Sequence, residues 1–509
     1  MELIIHFFPI ILSFFLFIFM VLKIWKKHTQ NIVLPPGPWK FPILGNIPQL
    51  FGAEIHQRLS NLATIYGPVM SIQLGQVPAV VISSADTAHE VLRTQSEVFA
   101  GRPTTQALEI ALYNGVGIAF APYGDHWREM RKISTLEFLS AKRVQSFRSL
   151  REEQVSEVIK FLQSKAGSPV NLTNTIVDLT NTIILLATFG ENGKTKHHLL
   201  TILESLKELG KIVSIADFFP SFKFIHYVTS TVMSRLRRLH WEADHILEDT
   251  IDEHKANKKF GKKSDDDEVD NFLDVLLDIQ KKGNLQISFT NDCIKAIIEE
   301  LFGAGSHTSS KLIEWAMSEL MRNPKAMGKA QEEVRRIFGE KGKVEESRIQ
   351  ELSYLKLIIK ETFRLHPPGA LIIRESRERT KVAGYDIYPQ TRIMVNVWAI
   401  GRDSNIWKEP EKFYPERFED SKIDYRGANK ELIPFGAGKR VCPGISLAIT
   451  YVELLLANLL YHFDWKLPNG ITPEDLDMTE VFQGAALSRK HDLTLIPIPF
   501  YPFPKNNVV

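Results

Sequence analysis

From Pro434 to Gly444 the chain reads Pro-Phe-Gly-Ala-Gly-Lys-Arg-Val-Cys-Pro-Gly, and no other stretch restricts the fold as much. Gly436, Gly438 and Gly444 let this backbone bend without a Cβ penalty, and Pro443 denies it a regular ladder bond. Downstream, Ile445 to Phe463 is apolar at helical spacing, which sets Cys442 just before a helix N-terminus. Exposed N–H groups and the helix dipole there favour a thiolate over a thiol, and Lys439 and Arg440 add positive charge. A thiolate in such a place can ligate a metal. Without that role, a cysteine in a glycine-rich turn is a small, inert, buried hydrophobe. The chain has only two cysteines in 509 residues, Cys293 and Cys442, which suits a reducing compartment.

The full spacing Phe435-x-x-Gly438-x-Arg440-x-Cys442-x-Gly444 resembles the haem-binding signature of the cytochrome P450 family. The resemblance implies that Cys442 ligates haem iron as a thiolate, a ligand that favours O–O cleavage. It implies haem b as cofactor, with Phe435 and Arg440 in the cofactor loop. It also implies the family fold, mainly α with a small β-rich lobe.

Other motifs follow in the family's order. Trp127 and Arg131 lie four apart on an expected helix, so an indole N–H and a guanidinium fork share one face. Read locally, that pair suits a buried carboxylate or an ordinary amphipathic surface. The resemblance makes it the helix that holds a haem propionate, a role that Arg374 and Arg440 share. Glu361 and Arg364 at i, i+3, with Arg417 in the stretch Phe413 to Phe418, resemble the family's buried Glu–Arg–Arg network, a structural element.

Phe289 to Arg322 reads as one long helix with Thr290 or Asn291 as its cap. Its middle, Phe302-Gly303-Ala304-Gly305-Ser306-His307-Thr308, carries two glycines that each cost roughly 1 kcal/mol relative to alanine. A flat ligand against the backbone compensates for that, and so does a helix–helix crossing. In the family the segment passes over the haem, and Thr308 matches the hydroxyl that handles protons during oxygen activation. Where the family has an acid before the threonine, this chain has His307, which can also relay protons near neutral pH. Relative to the family, the loop Gly369 to Ile373 is one residue short and Phe482 to Leu487 one residue long.

Leu3 to Leu22 is almost wholly apolar, and about 20 such residues span about 30 Å as a helix, enough to cross a bilayer. Lys23, Lys26 and Lys27 hold the downstream side in the cytosol, and Glu2 with the exit Lys-Ile-Trp-Lys-Lys argues against a cleaved signal peptide. The expected organisation is a transmembrane anchor at 1–23, a proline-rich hinge at 24–48 and a catalytic domain at 49–509. Short strands are expected at Val69 to Leu74 and Ala79 to Ile82. A helix is expected at Ala85 to Thr94, a long loop from Phe99 to about Tyr123, and a solvated charge run at Lys262 to Asp270.

The net charge of +2 points away from nucleic acid, and no Gly-x-Gly-x-x-Gly after a strand suggests a flavin or nicotinamide site. The resemblance implies a haem-thiolate monooxygenase in the endoplasmic reticulum membrane, single-pass and facing the cytosol. Its electrons would come from NADPH through cytochrome P450 reductase. The Pro-Pro-Gly-Pro hinge and the Phe-Gly-Ala-Gly-Lys-Arg loop resemble the plant microsomal branch, and within it terpenoid oxidases. Apolar or small stretches expected to line the pocket (Val116 to Phe120, Ile215 to Phe219, Ile297 to Ala304, Ala370 to Ile373, Val481 to Leu487) suit a lipophilic substrate such as a di- or sesquiterpene. A fatty-acid hydroxylase would want a cation there. A reductase-independent isomerase or dehydratase, and a non-catalytic haem-binding protein, are the readings from other classes.

Overall fold

The computed structural model describes residues 13–20, 32–52, 54–190, 199–202, 205, 215–222, 230–259, 271–339, 342–483 and 486–500. Strands β1 (Val69–Leu74) and β2 (Val77–Ile82) form a hairpin. The helical body includes α1 (Asp125–Ile133), α2 (Arg148–Ser164), α3 (Leu172–Phe189), α4 (Ser230–Lys259), α5 (Asn291–Arg322) and α6 (Ser353–Leu365). Strands β3 (Leu371–Glu375) and β4 (Arg392–Asn396) complete a four-stranded sheet in the order β1-β2-β4-β3, with β2 and β4 parallel. Helix α7 (Ile445–His462) follows the cysteine loop, and the hairpin β5 (Glu480–Gln483) and β6 (Ala486–Arg489) lies near the carboxyl end.

The largest apolar cluster joins α2, α3, the second half of α5, α6 and α7. Two described helices, α3 and α7, are apolar enough to cross a membrane by length, yet 67% of each is buried, as befits core helices. Residues 13–20 are helical with Phe14, Phe15, Phe17 and Phe19 exposed, while the remainder of the expected Leu3 to Leu22 helix lies outside the described residues. The charge run Lys262 to Asp270 also lies outside them. Between Phe99 and Tyr123 the expected loop folds into a short helix, Gln106–Ala111, whose start Thr105 caps by accepting from the Leu108 amide.

Glu361, Arg364 and Arg417 meet behind the cysteine loop. Arg364 donates to both Glu361 oxygens at 2.8 and 2.9 Å, and Arg417 Nε donates to Oε1 at 2.9 Å. The Arg364 Nη1 group also donates to the Gly401 and Pro410 carbonyls, so this buried pair fixes two loops as well as α6.

Candidate active site

The cysteine loop takes its shape from two glycines in the left-handed region, Gly436 at φ 72° and Gly438 at φ 69°. A Cβ on Gly438 would lie 1.8 Å from the Leu92 carbonyl oxygen, so the loop's approach to its neighbour demands glycine. The Cys442 amide donates to Phe435 O at 3.0 Å, closing the loop, and the Phe435 ring packs edge-on against Phe363 of α6 at 5.1 Å. From α1, Arg131 Nη2 donates to Val441 O at 2.5 Å. Cys442 itself is half-buried. Burial pushes its thiol up, against the smaller downward pull of the Gly444 N–H and the Arg131 charge. Burial thus opposes the helix start's preference for a thiolate at this sulfur. A metal ion bound here would favour the thiolate.

Helix α5 begins at Asn291, after Thr290, and is buried on both sides of its middle. Gly303 and Ala304 are nevertheless exposed, and a Cβ on Gly303 would meet nothing within 4 Å. A Cβ on Gly305 would meet Ile184 Cδ1 of α3 at 3.0 Å. The two glycines thus answer to different demands, Gly305 to the helix crossing and Gly303 to open space where a flat group can lie. Thr308 Oγ1 donates to Ala304 O at 2.7 Å. His307 follows the same helix, and among the described residues its ring has no hydrogen-bond partner; Ser310 uses only its carbonyl.

Four arginines collect between these elements. Arg374 on β3 is buried and donates to the Ile373 and Arg440 carbonyls at 3.0 and 3.3 Å. Arg440 lies over the Trp127 ring at 4.3 Å and donates to the Ala100, Ile118 and Ala121 carbonyls. Trp127 Nε1 donates to Ile118 O at 3.0 Å. Arg102 donates through Nη1 to Ile373 O at 2.8 Å, while its buried Nε has no partner. Burial, with Arg102 and Arg131 nearby, pulls Arg440 down to about 9, and burial with Arg102 and Arg440 puts Arg374 well below the usual guanidinium range. Arg102 is pulled down to about 10 by burial, partly countered by the Glu300 carboxylate. Cations crowded on neutral carbonyls, with an orphan N–H, fit a group that brings two carboxylates, as haem does.

The expected residues Cys442, Phe435, Arg440, Arg374, Trp127 and Arg131 are therefore brought into one neighbourhood, and Thr308 and His307 lie on the helix whose open face carries Gly303. Sequence reasoning missed Arg102, although Phe99-Ala100-Gly101-Arg102-Pro103 announced itself as a loop. Its place follows from Gly101, whose carbonyl accepts the Glu375 amide at 3.0 Å and pins the loop to β3. The stretch Ile297 to Ala304 is also less apolar than expected, because Glu299 and Glu300 are buried in it. A cleft of about 850 Å³, lined by Glu54, Glu319, His366, Trp398, Arg402 and Glu480, contains none of the expected site residues.

A loop cysteine ahead of a core helix, a second helix left open at a glycine, and a surplus of arginines define a haem-thiolate protein. The comparisons agree. The family model for cytochrome P450 matches residues 35–495. The chain is 61% identical to Cytochrome P450 726A27 of Euphorbia lathyris over 97% of this chain and 98% of that one. It is 48% identical to melianol synthase CYP71BQ4 of Citrus sinensis over 98% and 97%. A zebra fish cytochrome P450 solved with progesterone has the same fold, with a TM-score of 0.75 at 23% identity, covering 88% of this chain and 100% of that one. The chain belongs to the cytochrome P450 family and is a monooxygenase, an oxidoreductase that binds haem iron and uses O2 on lipophilic substrates.

Proposed function

We propose that this monooxygenase oxidises a terpenoid, a di- or sesquiterpene or a lightly oxidised derivative, at the endoplasmic reticulum membrane. Residues 1–23 serve as a single-pass anchor, 24–48 as the hinge, and 49–509 as the cytosolic catalytic domain. Cys442 holds the iron of haem b, and Phe435 and the glycines shape the loop around it. Trp127, Arg131, Arg374 and Arg440 neutralise the propionates. When bound, the haem supplies the oxygen chemistry. Thr308, with His307 in place of the family's acid, holds and moves the protons at the α5 face. Electrons come from NADPH through cytochrome P450 reductase, docking on the positive face around Lys439 and the cysteine loop.

The observation that carries this reading is the gathering of arginines on uncharged carbonyls beside the Cys442 loop. Support for the substrate comes from the 48%-identical melianol synthase, a terpenoid oxidase, and from the mostly apolar stretches expected to line the pocket.

The test uses microsomes carrying this chain and the reductase, fed a panel of di- and sesquiterpenes and analysed by mass spectrometry. Oxygenated product is expected only with NADPH and reductase present. Thr308→Val is expected to keep the haem spectrum while product per NADPH falls by about 100-fold, the scale of one positioned proton donor. Turnover independent of NADPH, or oxidation of fatty acids with every terpene untouched, would contradict the proposal.

A further inference from the structure

Residues 116–121 are gripped from two sides. Their carbonyls face the cation cluster: Ile118 O accepts from Trp127 and Arg440, Ala121 O from Arg440, and Val116 O pairs with His126 Nε2 at 2.8 Å. Their amides face α5 instead. Ile118 N donates to Glu300 Oε2 at 2.6 Å, and Ala119 N donates to Glu300 Oε1 at 3.0 Å. Two adjacent N–H groups on the two oxygens of one buried carboxyl make a bidentate clamp. Gly117 permits it, because a Cβ there would lie 2.4 Å from Glu300 Cδ and Oε1. Along α5, Glu300, Ala304 and Thr308 follow at i, i+4 and i+8, so they share a face. One face of one helix thus carries both the loop clamp and the hydroxyl at the open segment.

We infer that Glu300 is a positioning residue for substrate: by holding the Ile118 and Ala119 amides it fixes the 116–121 loop against the Thr308 face of α5 and thereby selects which bulky ligands, and which of their atoms, reach the haem. The inference rests on the haem-thiolate reading. Arg440 and Trp127, which hold the carbonyl side, are also the groups that propionates would engage. Glu300 faces the same arginines but is itself an acid that a propionate would not engage, so the amide side is the grip that persists in the loaded enzyme.

The test compares wild-type holoenzyme with Glu300→Leu, Glu300→Gln and Gly117→Ala, reading amide hydrogen exchange and iron-ligand spectral titrations with imidazole and with bulky clotrimazole. Glu300→Leu and Gly117→Ala are expected to speed exchange at Ile118 and Ala119 at least tenfold. They should also change the clotrimazole-to-imidazole Kd ratio several-fold, with exchange in Ile445–His462 unchanged. Glu300→Gln, which keeps one acceptor oxygen and the side-chain shape, should fall between them and wild type. Unchanged exchange at Ile118 and Ala119 in Gly117→Ala would overturn the inference, as would faster exchange spread through Ile445–His462 in all three variants. A wild-type enzyme lacking the thiolate-type carbon monoxide band would instead overturn the haem-thiolate reading, and the substrate role with it, whatever the exchange shows.

Discussion

Glu361→Gln will destabilise the folded enzyme by about 3–5 kcal/mol, because it strands arginine charge that is out of water. Glu361 and Arg364 are each 0% exposed, and Arg417 shares the same carboxylate oxygen. Tyr414 N also donates to that oxygen at 2.8 Å, so the substitution loosens the segment leading to the cysteine loop as well as the ion pairs. A loss of this size is a large part of a domain's total stability of roughly 5–15 kcal/mol. Denaturant titration of the holoenzyme, followed by tryptophan fluorescence and by the Soret absorbance, measures it. A loss below about 1 kcal/mol, the range of exposed pairs, would contradict the burial argument.

The second large effect belongs to His366, at the end of α6. Its Nδ1 lies 2.7 Å from Glu480 and its Nε2 2.8 Å from Glu319, and its ring stacks on Trp315 at 4.0 Å. Carboxylates at both nitrogens require both to carry protons, so the ring is an imidazolium. The two carboxylates raise its pKa against the opposing effect of burial, while the hydrogen bond to His366, with the His56 ring 3.6 Å away and the Arg402 charge nearby, holds Glu480 well below its ordinary value despite burial. The histidine's contribution is complete below its unfolded value of 6.5 and fades as pH rises through its higher folded value. The glutamate's contribution is complete above its unfolded value of 4.5 and fades as pH falls through its lower folded value. His366→Ala is therefore expected to cost about 3–5 kcal/mol, with the deficit greatest between pH 4.5 and 6.5. Thermal unfolding across pH 4 to 9 checks it, and a deficit that grows steadily toward high pH would contradict the charged-ring reading. The effect should reach the pocket, because Glu480 opens β5 and Leu487 N of β6 donates to Pro368 O at 2.8 Å.

The parts of this protein legible in its sequence are those that spacing dictates. Cys442 with its glycines, the i, i+4 pair Trp127 and Arg131, and the glycine-bearing helix around Thr308 are local patterns, and local patterns survive without a fold. What escaped were consequences of contacts between distant segments. Arg102 joins the arginine cluster only because Gly101 packs on Glu375, 274 positions away in the chain by their numbers. Glu300 becomes a loop clamp only where Gly117 meets it, and neither residue signals this alone. The burial around the Cys442 thiol is of the same kind: the helix dipole is visible in sequence, whereas the depth of desolvation is set by everything packed around it. Thr105, capping a short helix inside the supposed Phe99 to Tyr123 loop, was a missed capping signal.

The central claim is the bond between the Cys442 sulfur and haem iron. Its most direct test is the absorbance spectrum of the purified, reduced protein under carbon monoxide, recorded beside the Cys442→Ala variant. A thiolate-type Soret band in the wild type that vanishes in the variant is the predicted result. No such band in the wild type, or the same band persisting in Cys442→Ala, would contradict the account.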